Sequence, residues 1–235
     1  MKIENGYLVF DKEQIKLKKI TGHRFPQLLG KSRFTTKGDC LVKMFLGIKE
    51  EPIDPFYIKR GAIGEFLVEH ELTKMGVKVN HYDTKEENYD MFKEDPNYGG
   101  VIDLATDNFE TIYECKSKPL SKYEWYQDNA NEEEELQCEL YAYLKGSTNA
   151  VMKYIFFDTE SESAIKNSKP FNLSGITIYD KLLTFDRMEL CELMDYALNY
   201  RDTCYEEKRI PQADISADML LLLQRDYGLD IGGRR

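Results

Sequence analysis

The 235-residue sequence predicts an α/β domain with a central mixed β-sheet flanked by helices, and three observations carry that prediction. Segments with helical spacing of apolar residues alternate along the chain with segments of strand spacing. The run VMKYIFF (151–157) has the continuous apolar character of a strand buried at a sheet centre. Between the helical stretches, GVIDLA (100–105) and TIYECKS (111–117) are strand-like and joined by the polar turn TDNFE, which is the pattern of a hairpin.

From the N-terminus, GYLVF (6–10) reads as a strand, and residues 24–30 and 38–48 read as short helices separated by the turn-rich GKSRFTTKG. Residues 58–75, IKRGAIGEFLVEHELTKM, place Ile63, Phe66, Leu67, His70 and Leu72 at roughly helical spacing, so an amphipathic helix closed by Gly76 is expected. VKVNHY (77–82) follows as a strand, and 83–98 as a polar loop containing Pro96. The hairpin comes next and is stopped by Pro119. The acidic run Glu132 to Glu135 opens a helix expected over about 133–145, where the acids favour the positive end of the helix dipole. After VMKYIFF, a strand near 175–179 or 182–185, a long helix over about 186–207 and a last helix over 214–226 complete the chain. With no internal repeat or low-complexity linker, a single domain over 1–235 is expected, its motif-bearing core at 20–157 and a helical part from 160 onward. The segment DMLLLLQRDYGL (218–229) reads as an apolar helix for packing or self-association.

Composition narrows the function classes. At 42% hydrophobic and 31% charged, the chain can bury a proper core. No stretch approaches the ~18 apolar residues of a membrane span, and MKIENGYLVFDKEQ lacks the apolar run of a signal peptide, so a soluble, cytoplasmic protein without membrane contact is expected. Five scattered cysteines with no CxxC pair argue for a reducing compartment and against a disulfide framework, a zinc knuckle or a cysteine-bound cluster. Three dispersed histidines leave carboxylates to hold any metal. The net charge of −10 weighs against general nucleic-acid binding, but the cations gather in the first 60 residues, which allows a local phosphate-binding surface on an acidic body.

The hairpin carries the chemistry. Alternation puts Ile112, Glu114 and Lys116 on one face of their strand and Tyr113 and Cys115 on the other. Asp103, on the partner strand, can come alongside Glu114. Two carboxylates so placed can bind a hard cation such as Mg²⁺, with the Cys115 carbonyl as a further oxygen. A lysine beside that cation can hold a water or stabilise charge growing on a phosphate, and the parts together make a phosphodiester hydrolase. A plain cross-strand salt bridge between Lys116 and one acid uses the same residues, and they alone leave both readings open. Thr21, likewise, can be a helix cap and Arg33 a loop cation.

Ile102-Asp103 with Glu114-Cys115-Lys116 resembles the core of the PD-(D/E)xK nuclease superfamily, with Ile102 where proline is usual. Arg60-Gly61-Ala62-Ile63-Gly64-Glu65 fits the R-G-x-x-x-E helix of its phage lambda exonuclease and YqaJ-like branch, and Gln137 with Tyr141 fits the Q-x-x-x-Y helix of that branch and of RecB-type nucleases. ITGHRFPQLLGKSRF (20–34) is similar to the segment that forms a 5′-phosphate pocket in the lambda type, with His23 in place of serine. The resemblance implies a restriction-endonuclease-like core and a deoxyribonuclease dependent on Mg²⁺, with Mn²⁺ as a substitute, acting 5′→3′ on linear double-stranded DNA in phage-type recombination. It implies metal binding by Asp103, Glu114, the Cys115 carbonyl and Glu65, with Glu69 as the fallback for Glu65. It gives Lys116 the attacking water and the phosphate charge, Gln137 and Tyr141 the positioning of water or strand, and Thr21, His23 and Arg33 the terminal phosphate. Double-stranded DNA ends, a single-strand annealing protein and a homotrimeric ring are the implied partners. A Cas4-like exonuclease, a resolvase, a restriction-type endonuclease and a DNA-binding module without turnover stand as alternatives. The scattered cysteines disfavour the cluster-bearing Cas4 form.

Overall fold

The structure is a computed structural model that describes residues 1–11, 13–49, 52–82 and 90–230. Strands β1 (Lys2–Glu4) and β2 (Tyr7–Val9) form a hairpin that turns through Asn5 and Gly6, both at positive φ. After β3 (Ile20–Thr21) come α1 (Arg24–Leu28) and α2 (Lys37–Leu46), the latter capped by the Thr36 side chain and ended by Gly47 in the left-handed region. Helix α3 spans Pro55–Lys74 and starts earlier than its apolar pattern suggests, because Asp54 caps it and Pro55 fits the first turn. Gly76, at φ +81°, closes it as expected.

Strands β4 (Val79–His81), β5 (Tyr98–Gly99), β6 (Leu104–Thr106) and β7 (Thr111–Pro119) follow. The first part of the predicted 83–98 loop, residues 83–89, lies outside the described residues. Next come α4 (Tyr123–Asp128), α5 (Glu132–Lys145), β8 (Asn149–Phe157) and α6 (Thr159–Lys166). A single strand, β9 (Ile176–Leu183), takes the place of the two alternatives left by the sequence. The chain continues through α7 (Arg187–Glu207), β10 (Arg209–Pro211) and α8 (Ala217–Asp226).

These elements form two compact units: Met1–Glu50 with Glu94–Gly99 and Met188–Arg235, and Glu51–Lys93 with Gly100–Arg187. In the first, β2 lies between β1 and β10, and β3 pairs in parallel with β5. Leu8 pairs with Ile210, and both are fully buried. Arg201 of α7 is buried as well; its guanidinium donates to the carbonyls of Lys18 and Asn97 at 3.1 and 3.2 Å and pairs with Asp202. Its buried charge is met by these backbone carbonyls, by the Asn97 side chain and by Asp202. In α8, Met219 and Leu223 are buried and Leu221 is exposed.

The second unit holds the expected mixed sheet, in the order β4-β6-β7-β8-β9, with β7 and β8 parallel and the other neighbours antiparallel. Helices cover both faces. Val68 and Leu72 of α3 and Ile165 of α6 pack with Tyr113, Ile155 and Phe157 on one face, and Tyr126 of α4 and Cys138 of α5 pack with Ile112, Met152 and Phe156 on the other. Gly64 lets α3 approach β7, because a Cβ there would lie 2.2 Å from Ser117 Oγ. Among the described residues, no helix is long and apolar enough to cross a membrane.

Candidate active site

Strand β7 alternates as its sequence predicts. Glu114 and Lys116 meet Gln137 of α5 and Lys118 meets Glu134, whereas Tyr113 and Cys115 pack towards α3 and Ser117 Oγ donates to the Arg60 carbonyl at 3.2 Å. Strand β6 pairs with only the start of β7, Leu104 with Tyr113 and Ala105 with Ile112. One more step of that register brings Asp103 opposite Glu114.

Asp103 itself is not in the strand, contrary to the expectation for GVIDLA: it has left the ladder and its side chain takes over the pairing. Its Oδ2 accepts the Cys115 N–H at 2.7 Å, while its carbonyl accepts from Tyr82 N at 3.0 Å. Further along the same edge, the Ser117 carbonyl accepts from Arg60 Nη2 at 3.0 Å, and Arg60 Nη1 is paired with Glu162. The β7 edge that β6 leaves uncovered is therefore closed by an acid and an arginine, both motif residues. The Cys115 carbonyl shares the edge of its own N–H.

Glu114 is 1% exposed. Its Oε1 accepts from Lys116 Nζ at 2.7 Å and from Gln137 Nε2 at 2.6 Å, and Lys116 also lies 3.4 Å from Gln137 Oε1. Its other oxygen, Oε2, is buried with no hydrogen-bond partner among the described residues. Burial, with Asp103 adding to it, pushes the Glu114 carboxyl up to about 8 against the pull of Lys116. Burial also raises Asp103, opposed by Lys116 and by the Cys115 N–H. Glu65 is raised by burial and then by Asp103. Burial disfavours the Lys116 charge, yet Glu114 and Asp103 outweigh it and hold the ammonium above its ordinary range. Negative charge is in excess here, and each acid is held back from ionising.

Among the described residues, no three His, Cys, Asp or Glu side chains gather as a ready-made metal cage. The fit of a metal rests on the donor set. Two carboxylates, one of them with an orphaned buried oxygen, and a strand carbonyl suit a hard divalent cation that keeps several of its waters.

Glu65 is engaged by a residue that the motifs do not name: His81 Nε2 lies 2.8 Å from Glu65 Oε2 and His81 Nδ1 lies 3.4 Å from Glu69 Oε2. The pair of glutamates one helical turn apart, followed by a strand ending in histidine, was the available signal. Of the two residues of the Q-x-x-x-Y helix, Gln137 is hydrogen-bonded to Glu114. Tyr141 is buried in a packing position, its ring stacked on Phe92 at 5.6 Å and its hydroxyl end against Gly100.

In the other unit, the cap of α1 is His23 and not Thr21; its side chain makes no capping bond, and its Nδ1 lies 3.1 Å from Thr21 Oγ1. Thr21 lies too early to cap α1: it is the last residue of β3, and His23, at φ −71° and ψ −22°, is already in the helical region when α1 starts at Arg24. Arg33 lines a cavity of about 640 Å³ together with Ser32, Thr36, Lys37 and Lys43.

No family model matches the chain. It is similar in sequence to the uncharacterized protein MG373 homolog of Mycoplasma pneumoniae, at 28% identity over 139 residues, which is 55% of this chain and 48% of that protein. It is similar also to the uncharacterized protein MG373 of Mycoplasma genitalium, at 34% identity over 87 residues, 37% of this chain and 31% of that protein. The chain thus matches about half or less of the length of these curated relatives. Among solved structures it is similar to a phage-related exonuclease from Haemophilus somnus 129PT, with a TM-score of 0.52 and 13% identity over 81% of this chain and 96% of that one. It is similar also to the alkaline exonuclease LHK-Exo from Laribacter hongkongensis, with a TM-score of 0.53 and 13% identity over 89% of this chain and 93% of that one. That enzyme has been solved in complex with dAMP too, and the likeness is the same, with a TM-score of 0.53. At such identities the likeness is one of fold: the chain has the fold of these phage-related and alkaline exonucleases, in agreement with the PD-(D/E)xK branch that its motifs resemble.

Proposed function

We propose that this chain is a Mg²⁺-dependent deoxyribonuclease that digests linear double-stranded DNA from its ends, 5′→3′, in phage-type recombination. The observation that carries the reading is the Glu114 carboxylate, which is buried beside Asp103, tied to Lys116 and Gln137 through one oxygen and unpartnered at the other. A buried acid in that state is costly for stability alone and suits a cation. The fold shared with solved exonucleases supports the same reading.

Asp103, Glu114 and the Cys115 carbonyl would hold Mg²⁺, or Mn²⁺ in its place, with Glu65 assisting directly or through water. When bound, such a cation polarises a phosphoryl oxygen and acidifies a water. Lys116 stays an ammonium, so its part is to orient the attacking water and stabilise charge on the phosphate rather than to accept a proton. Gln137 holds Lys116 and Glu114 in register with each other. As the water oxygen bonds to phosphorus, the bond to the 3′ oxygen breaks, leaving a 5′-phosphate and a 3′-hydroxyl. Thr21 and His23, with the Arg33 guanidinium as a bidentate fork, would hold the terminal phosphate. A homotrimeric ring and a single-strand annealing partner in the cytoplasm belong to the same reading.

The test offers the protein, with Mg²⁺, a linear duplex with 5′-phosphates, the same duplex with 5′-hydroxyls, a single strand and a closed circle. Digestion of the linear duplex, faster with 5′-phosphate, is expected. Cutting of the circle moves the protein to the endonuclease branch, and no cleavage of any DNA removes the catalytic reading in favour of a binding module.

A further inference from the structure

The end of β4 holds two of the acids at once. Tyr82 N–H donates to the Asp103 carbonyl at 3.0 Å, and the residue before it, His81, reaches Glu65 through Nε2 at 2.8 Å. His81 lies opposite Leu104, the neighbour of Asp103, in the β4–β6 register. Glu65 is close enough to Asp103 for that acid to raise its carboxyl. A glutamate on a helix surface samples several rotamers unless something holds it, and the Glu65 side chain is 28% exposed. The 2.8 Å contact is a well-formed hydrogen-bond distance, whereas the 3.4 Å contact of Nδ1 with Glu69 is longer.

We propose that His81 is a positioning residue for Glu65: its Nε2 holds the Glu65 carboxylate beside Asp103 and so completes the acidic site for a divalent cation. Glu69, 3.4 Å from the other ring nitrogen, then stands outside the ligand set. The inference rests on the metal-dependent reading above and goes beyond the R-G-x-x-x-E motif, which names the acid but nothing that orients it. Partners of this kind typically govern metal affinity without touching the metal.

Mn²⁺ binding, followed calorimetrically without DNA, tests the proposal on wild type, His81→Ala, His81→Gln and His81→Asn, with metal-free melting temperatures as a check on folding. A glutamine amide reaches the place of Nε2 and an asparagine amide the place of Nδ1. His81→Ala and His81→Asn are expected to bind Mn²⁺ about 10- to 100-fold more weakly, and His81→Gln to bind close to wild type. Equal affinities for the Gln and Asn variants, or a His81→Ala protein that binds like wild type, overturn the role of His81 and leave the metal site standing. A wild type that takes up no Mn²⁺ removes the metal reading itself.

Discussion

Lys116 and Glu114 are joined through a single carboxylate oxygen at 2.7 Å, and the second oxygen of Glu114 is buried without a partner. An ion pair built only for stability would have both oxygens satisfied, because an unmet buried acceptor costs about 1–3 kcal/mol. The arrangement instead keeps one oxygen available next to a second acid, and the consequences can be measured.

Stability of the metal-free protein should fall as pH rises from about 4.5 to about 8. Glu114 titrates near 4.5 when unfolded and is pushed up to about 8 when folded. Between those values only the unfolded chain has lost the proton, so this contribution is full below the first and gone above the second. Melting curves in chelator across that window should show the loss, and Glu114→Gln should flatten most of it. An unchanged slope in the variant would show that Glu114 is not the group responsible.

Asp103→Asn and Asp103→Ala should separate charge from hydrogen bonding. The asparagine can still accept the Cys115 N–H, now held at 2.7 Å, and it removes the charge that raises Glu114. The Asn protein should melt at or above wild type without metal and lose on the order of 100-fold in cleavage rate. The Ala protein leaves a strand N–H unmet and should be less stable by about 1–3 kcal/mol. Equal melting of the two variants would contradict the Cys115 contact.

Gly64→Ala should destabilise the protein by roughly 1–3 kcal/mol, because the new methyl would meet Ser117 Oγ at 2.2 Å. Adding Ser117→Ala removes that oxygen, and the double variant should recover most of the loss. A double-mutant cycle on melting free energies reads the coupling directly, and simple additivity would show that the approach of α3 to β7 is not tight at this point.

Local patterning carried much of the sheet and the site. The period of two along β7 already put Glu114 and Lys116 on one face, the i, i+4 spacing put Gln137 and Tyr141 on one helix face, and only the resemblance to the Q-x-x-x-Y helix tied that helix to the site. Patterning could not separate the two residues of that helix, since a buried tyrosine and a substrate-facing one look alike in sequence. Nor could it foresee that Asp103 would leave its strand, because a carboxylate replacing a ladder carbonyl is a tertiary event. GYLVF was legible as a strand, but its partner β10, which pairs Ile210 with Leu8 from the opposite end of the chain, is three residues long and too brief for its periodicity to read. His81 escaped notice because its meaning depends on a helix and a strand being brought together.

The most direct measurement is the release of nucleotides from a 5′-phosphorylated linear duplex by wild type and Lys116→Ala, each with Mg²⁺ and with chelator. The account predicts release by wild type only with Mg²⁺, and a rate lower by on the order of 100-fold or more in the variant, with both proteins folded. Release in chelator, or a Lys116→Ala protein as fast as wild type, would contradict it.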